Sequence, residues 1–310
     1  MRILFAGTPD VAVPSLERLL SAGHEVLAVL TRAPALAGRS HAMHRSAVHD
    51  AAEHYGIPVL TPRTLRDPQF TENIATLAPD AAAVVAYGKI VPPALLSVPR
   101  LGWINLHFSL LPAWRGAAPV QHALAAGDDI TGASTFLLEE GLDTGPVFGS
   151  TTERINPTDT AGDLLERLSH SGAELLVRTF ALLESGLAVP HPQHGDVTYA
   201  PSISVADAQV DWTHPAIAID RQIRAHTPAP GAWTMLRGHR IKLGPISPVP
   251  DVTDLAPGEL RGELVGTGSH AVRLGTVAPA GKRVMEARDW LRGARLSPGE
   301  QFTAKERTDD

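Results

Sequence analysis

The sequence predicts a doubly wound α/β domain with a parallel sheet, followed by a small β-barrel domain. Three observations carry this. Short apolar runs alternate with helix-like segments through the first half of the 310 residues. A stretch rich in Pro, His, Gly and Ser, without periodicity, spans residues 187–205. Beyond it the apolar runs become short and turn-bounded, the texture of a small barrel.

The elements follow in order. Residues 2–7 form a buried strand ending in a turn. Pro9 and Pro14 bracket the start of a helix with apolar positions Val13, Leu16, Leu19 and Leu20. Residues 24–31 give the next strand. Further apolar runs lie at 57–60, 81–86 and 103–106, with a helical pattern around 46–55. Residues 119–126 read as a helix after the Gly116 turn, and 131–138 as another strand. The longest helix covers 160–185. Thr160 and Asp163 supply its Thr-x-x-Asp start signal. Leu164, Leu165, Leu168, Leu175, Leu176, Phe180 and Leu183 share one face, and Gly186 ends it. Strands alternating with helices require right-handed crossovers, which gives a Rossmann-like domain over 1–186. Residues 187–205 are the expected linker. Residues 206–310 open with a short helix around 215–224. Strands at 232–236, 240–243, 262–265 and 271–274 then suggest an OB-like barrel.

Composition narrows the function classes. The hydrophobic fraction of 44% and charged fraction of 19% are those of a globular protein. Without a single cysteine, disulfides, iron–sulfur clusters, thiolate zinc sites and a cysteine nucleophile are excluded. The N-terminus lacks the apolar region and cleavage site of a signal peptide. No apolar run approaches the roughly 20 residues of a membrane span. A monomeric cytoplasmic enzyme without membrane contact is the expectation. Net charge is −6, distributed as −7 over residues 1–205 and +1 over the remainder. A polyanion would therefore be held through local patches only.

The densest chemistry lies at Asn105-Leu106-His107-Phe108-Ser109-Leu110-Leu111-Pro112 and at Gly141-Leu142-Asp143-Thr144-Gly145. In an open α/β sheet, ligands bind outside the carboxyl ends of the strands. Asn105 and His107 sit at the end of the 103–106 run, and Asp143 sits in a loop after a later strand. Asn105 and His107 are two apart, so in extended chain they point the same way. An Asn amide can donate to an oxygen that becomes negative during attack on a carbonyl carbon. A histidine can donate there too, and can pass a proton to a leaving nitrogen. A nearby aspartate favours the protonated ring. Taken singly, Asp143 and Ser109 also read as turn or cap residues. Gly7-Thr8-Pro9 follows the first strand but is not Gly-x-Gly-x-x-Gly, which argues against a dinucleotide. His191 with His194, and His41 with His44, have His-x-x-His spacing but no third ligand, so no metal is expected.

Together with Trp114-Arg115-Gly116-Ala117-Ala118-Pro119, these segments resemble the core of the folate-dependent formyltransferases. Phe5-Ala6-Gly7-Thr8-Pro9, Ala86-Tyr87-Gly88-Lys89-Ile90, Asp211-Trp212, Ile223-Arg224-Ala225 and Pro230-Gly231-Ala232 fit the same family. The likeness covers nearly the whole chain and is closest to the members that act on initiator tRNA. It implies 10-formyltetrahydrofolate as donor and initiator methionyl-tRNA as acceptor, with no metal. Asn105, His107 and Asp143 match the catalytic trio. Ser109, Leu110, Leu111 and Pro112 match the folate-binding loop, and the backbone of Tyr87, Gly88, Lys89 and Ile90 would face the pterin. Arg39, after Ala-Gly, matches a loop arginine of the family. Ser40, His41, His44 and Arg45 stand where that loop usually carries a lysine pair, and Ser202 stands at a common lysine position.

Arg39 and Arg45 in that loop, and Arg221, Arg224, Arg240 and Lys242 in the second domain, are the candidate tRNA contacts. Arg237 adds to the second cluster, and Trp212, Trp233 and Trp290 are its aromatic residues of note. Two other acceptors stay open: a nucleotide-linked amino sugar, and water in a formyltetrahydrofolate hydrolase.

Overall fold

The computed structural model describes residues 1–37 and 42–303. Their contacts group into two units. One comprises residues 1–119, 130–154 and 165–201. The other comprises 120–129, 155–164 and 202–310.

The first unit is built on a seven-stranded sheet. Its opening elements are β1 (Arg2–Gly7), α1 (Val13–Ser21) and β2 (Glu25–Leu30). A short antiparallel pair, β3 (Ala35–Ala37) and β4 (Ala42–His44), follows. Then come α2 (Ala47–His54), β5 (Val59–Leu60), α3 (Pro68–Leu77), β6 (Ala81–Val85), α4 (Pro93–Leu96) and β7 (Trp103–His107). β8 (Arg115–Gly116) precedes α5 (Pro119–Ala126), which groups almost wholly with the second unit, then β9 (Ile130–Leu137), β10 (Val147–Arg154) and α6 (Ala161–Glu184), whose first turn does the same; β11 (Tyr199–Ala200) closes the set. Sheet order is β10-β9-β7-β6-β1-β2-β5. β7, β6, β1, β2 and β5 are mutually parallel, whereas β9 and β10 pair antiparallel. The wholly parallel sheet expected from the sequence is therefore parallel-dominated, with an antiparallel edge.

The central strands are apolar because both faces are covered. Ile3, Leu4, Phe5 and Ala6, and Ala81 to Ala83, are fully buried. On one face Leu4, Ala6 and Ala82 pack with Ile74 of α3, Leu95 of α4 and Trp103. Local signals hold at the helix starts. Ser46 accepts from His49 N at 3.0 Å to cap α2. At α6, Thr160 N donates to Asp163 Oδ2 at 2.9 Å and Asp163 N donates to Thr160 Oγ1 at 3.3 Å, a reciprocal cap. Leu164, Leu168, Leu176 and Phe180 form the buried stripe of α6.

The second unit contains α7 (Ala216–Ala225), β12 (Trp233–Leu236), β13 (His239–Leu243), β14 (Ile246–Val249), β15 (Leu260–Arg261), β16 (Leu264–Val265), β17 (Ala271–Leu274), β18 (Thr276–Pro279), β19 (Met285–Glu286) and α8 (Ala287–Ala294). Its strands form two antiparallel sheets, β12-β13-β18-β19 and β14-β17-β16-β15. Inward residues alternate along them, as Thr234 and Leu236 on β12 and Ile241 and Leu243 on β13 show. Trp212 stacks on Phe302 with ring centres 5.3 Å apart, and its Nε1 donates to Thr234 Oγ1 at 3.0 Å.

Residues 187–201, read as linker from the sequence, group with the first unit. The reason is specific pairing. His191 and Val147 exchange main-chain hydrogen bonds of 2.8 Å, and β11 pairs with β8. Such contacts leave no periodic trace in a sequence.

Candidate active site

β7 supplies the first two candidate groups. It is pinned between buried β6 and β9, so its register is fixed and Asn105 and His107 share one face. His107 is 6% exposed and Asn105 is half-buried. Among the described residues, the Asn105 side chain has no hydrogen-bond partner.

The hydrogen-bond partner of His107 sets its tautomer. Nε2 lies 2.9 Å from Trp114 O. A carbonyl oxygen only accepts, so Nε2 carries the hydrogen and donates. Nδ1 faces Asp143 Oδ2 at 3.8 Å, beyond hydrogen-bond reach. Burial pushes the imidazole pKa below its ordinary value, while the Asp143 charge and the Trp114 carbonyl act upward. Burial is the largest of the three. The sequence pointed to an aspartate-favoured imidazolium; in the structure burial outweighs the aspartate and the ring titrates lower, while the Nε2 hydrogen bond leaves Nδ1 facing Asp143.

Asp143 reaches the ring by an unexpected route. β9 runs antiparallel to β7, with Leu137 opposite Ile104 and Ser134 opposite His107. Its following loop therefore leaves away from the carboxyl edge, where Leu138 N donates to Trp103 O at 2.8 Å. The loop turns back to present Asp143, which has φ 50°. Asp143 Oδ2 accepts from Gly116 N at 2.8 Å. Two glycines make this possible. A Cβ on Gly145 would lie 1.7 Å from Leu137 O, and one on Gly116 would lie 2.5 Å from Ala200 O.

Gln193 and Thr198, which the sequence reading did not single out, complete the loop contacts. Gln193 Nε2 donates to Asp143 O and to Gly145 O, each at 2.8 Å. Gln193 Oε1 accepts from Arg115 Nε and Nη2 at 3.2 and 2.7 Å. Thr198 Oγ1 accepts from Trp114 N at 2.8 Å.

The 109–112 loop is held from beneath. Ser109 is fully buried and donates to Ala113 O at 2.6 Å, so its hydroxyl closes the turn. Ser134 Oγ donates to Ser109 O at 2.8 Å and accepts from Leu111 N at 3.2 Å. The Leu111–Pro112 peptide is cis. Leu110 and Leu111 are half-buried and Pro112 is buried.

Tyr87, Gly88, Lys89 and Ile90 follow the carboxyl end of β6, the strand next to β7. The Tyr87 side chain belongs to the core, and burial pushes its phenol up to about 12. Thr8 Oγ1 donates to Tyr87 O at 3.1 Å, joining the ends of β1 and β6. Gly88 has φ 75°, Lys89 Nζ donates to Pro62 O at 2.5 Å, and Ile90 is 89% exposed.

The cationic candidates divide. Arg39, with Ser40 and His41, lies outside the described residues. Arg45 pairs with Glu53, and Asp50 is 4.0 Å away. In the second unit, Arg224 is 8% exposed; it donates to Asp220 Oδ2 at 2.8 Å and to Asp159 O at 3.0 Å. That inward engagement corrects its reading as a phosphate contact. Arg221 Nη1 donates to Ala126 O at 3.4 Å. Arg237 pairs with Glu300. Arg240 and Lys242 share the outward face of β13. The Arg240 guanidinium lies 4.2 Å over the Trp233 ring, and Lys242 is exposed. Trp212 is buried, so it is no stacking platform. Among the described residues, no three His, Asp or Glu side chains come together as metal ligands.

Comparison with known proteins defines the class. The Formyl transferase family matches residues 1–180, and the Formyl transferase C-terminal domain matches 202–295. The chain belongs to the formyl transferase family. The methionyl-tRNA formyltransferase of Thermobifida fusca is 57% identical over 97% of this chain and 99% of that protein. That of Streptomyces coelicolor is 58% identical, again over 97% of this chain and 99% of its own. Within the family, the chain groups with the methionyl-tRNA formyltransferases. Among solved structures, HypX from Aquifex aeolicus in complex with tetrahydrofolic acid shares the fold, with TM-score 0.65 and 19% identity, covering 100% of this chain and 50% of that one.

Proposed function

We propose that this protein transfers the formyl group of 10-formyltetrahydrofolate to the free amine of initiator methionyl-tRNA in the cytoplasm. The observation that carries the reading is full-length identity of 55–58% to proteins named methionyl-tRNA formyltransferase. The donor supplies a formyl carbon bound to a nitrogen that can leave. The unpartnered amide of half-buried Asn105 fits a substrate oxygen.

The residues divide the work as follows. Asn105 donates to the formyl oxygen as it gains negative charge. Neutral His107 takes the proton of the attacking amine on Nδ1. The amine–carbon bond forms and the carbon–folate nitrogen bond breaks. His107 then returns the proton to the departing nitrogen. Asp143 lowers the cost of the transient imidazolium from 3.8 Å away. The main chain of residues 87–90 and the 109–112 loop hold the donor. The OB-like second domain, residues 206–310, holds tRNA phosphates through Arg240, Lys242 and Arg221. Arg39 and Arg45 act near the acceptor end.

The test offers purified protein 10-formyltetrahydrofolate with either methionyl-tRNA or nucleotide-linked amino sugars. Formyl transfer to methionyl-tRNA is expected. Transfer to a sugar alone, or release of formate with no acceptor used, overturns the reading. His107→Ala is expected to lower turnover by at least ~100-fold, the scale of general acid–base catalysis; near-normal turnover removes His107 from the mechanism.

A further inference from the structure

We infer that Gln193 is a positioning residue for the transfer: its side-chain amide fastens the Asp143 loop in the conformation that aims the carboxylate at His107. The inference rests on the reading of Asp143 as a participant in catalysis.

The geometry is demanding. Asp143 sits at φ 50°, a left-handed conformation that a non-glycine residue enters only at a steric cost. Something must hold it there. Gly116 N holds the carboxylate, but the main chain on either side of Thr144 is held by Gln193 Nε2, whose two N–H groups match the two carbonyls of Asp143 and Gly145. The other end of the same amide is fixed in turn. Arg115 delivers two N–H groups to Gln193 Oε1, which settles the orientation of the amide: oxygen toward the guanidinium, nitrogen toward the carbonyls. Arg115 is held by the main chain, since its N donates to Thr198 O at 2.9 Å. It also lies between Trp114, whose carbonyl sets the His107 tautomer, and Gly116, which binds Asp143. One side chain therefore ties the loop carrying Asp143 to the loop that orients His107.

Only a glutamine meets both demands. A glutamate keeps the length and strengthens the pairing with Arg115 but has no N–H for the carbonyls. It would instead set a negative charge against two acceptor oxygens. The donor-binding segments 87–90 and 109–112 make no hydrogen bond with Gln193. Its loss should therefore spare donor binding.

The experiment measures kcat and the KM for 10-formyltetrahydrofolate with methionyl-tRNA as acceptor in Gln193→Ala, Gln193→Glu and Asp143→Ala. Both Gln193 variants are expected to lose about tenfold to 100-fold in kcat, the scale of a small misplacement of a catalytic group. Donor KM should stay within about twofold of wild type. Wild-type kcat in Gln193→Glu or Gln193→Ala overturns the inference. So does a rise in donor KM that matches the fall in kcat, which marks general disruption of the site. Near-normal kcat in Asp143→Ala overturns the underlying reading instead. If Asp143→Ala is inactive while both Gln193 variants work normally, that reading stands and the inference falls.

Discussion

At the scale of single residues, the proton inventory of His107 is where geometry and electrostatics meet. The Trp114 carbonyl dictates which nitrogen carries the hydrogen, and burial keeps the other free of one. The ring thus starts the reaction as a base and finishes it as an acid. Asp143 acts upward on the ring pKa, against burial. Removing its charge should therefore let burial act with less opposition. In a nitrogen-edited NMR titration, the His107 midpoint is expected below the ordinary histidine value of about 6.5. In Asp143→Asn it should fall further. A midpoint that rises or stays unchanged would show that the carboxylate does not couple to the ring. The types and spacing of Asn105 and His107 were legible because a strand end at a sheet's carboxyl edge is a predictable place. The sign of the histidine shift was not, because spacing reveals a neighbouring charge but not the depth of burial. Gln193 was not legible either: it stands in aperiodic chain, and its partners are two main-chain carbonyls some fifty residues earlier and the still more distant Arg115 guanidinium.

Elements differ in how plainly they announce themselves. β1, β2, β6 and β7 are continuous apolar runs because both faces of the sheet are covered. β10 has no fully buried residue and carries Ser, Thr, Glu and Arg, so its pattern resembles a loop. α3 buries only Ile74, too little for a helical stripe to stand out. β9 looked like one more parallel strand. It pairs antiparallel with both β7 and β10, and hydropathy does not encode strand direction. β9 also supports the 109–112 loop through Ser134, a fully buried hydroxyl that satisfies both Ser109 O and Leu111 N. Ser134→Ala removes the hydroxyl partner of buried Ser109 O, of part-buried Leu111 N and of Ser150 Oγ. It is expected to destabilise the protein by about 1–3 kcal/mol and to raise the donor KM more than it lowers kcat. Chemical denaturation with parallel kinetics checks this; an unchanged KM would detach the loop from donor binding.

For the whole molecule, net charge proved a coarser guide than the placement of each cation. Arg224 and Lys242 look alike in the sequence but have opposite fates. Arg224 is locked to Asp220 inside the second unit, whereas Lys242 stands exposed. Arg224→Ala is expected to cost about 3–5 kcal/mol of stability, because Asp220 loses its buried partner. Lys242→Ala should leave stability alone and flatten the dependence of log tRNA affinity on log salt by about one. Thermal melts and binding titrations at several salt concentrations separate the two; an unchanged salt slope would remove Lys242 from the tRNA contacts. Residues 194–197 are exposed, and an exposed aperiodic stretch is where a protease cuts first. A nick there severs the covalent link between Gln193 and Thr198. Asn105, His107 and Asp143 would remain uncut on the same fragment, yet the two loops that aim them would be anchored to separate pieces of chain. Limited digestion is thus expected to extinguish turnover before any residue at the reacting atoms is touched, and a fragment ending at 186 is expected to be inert as a transferase.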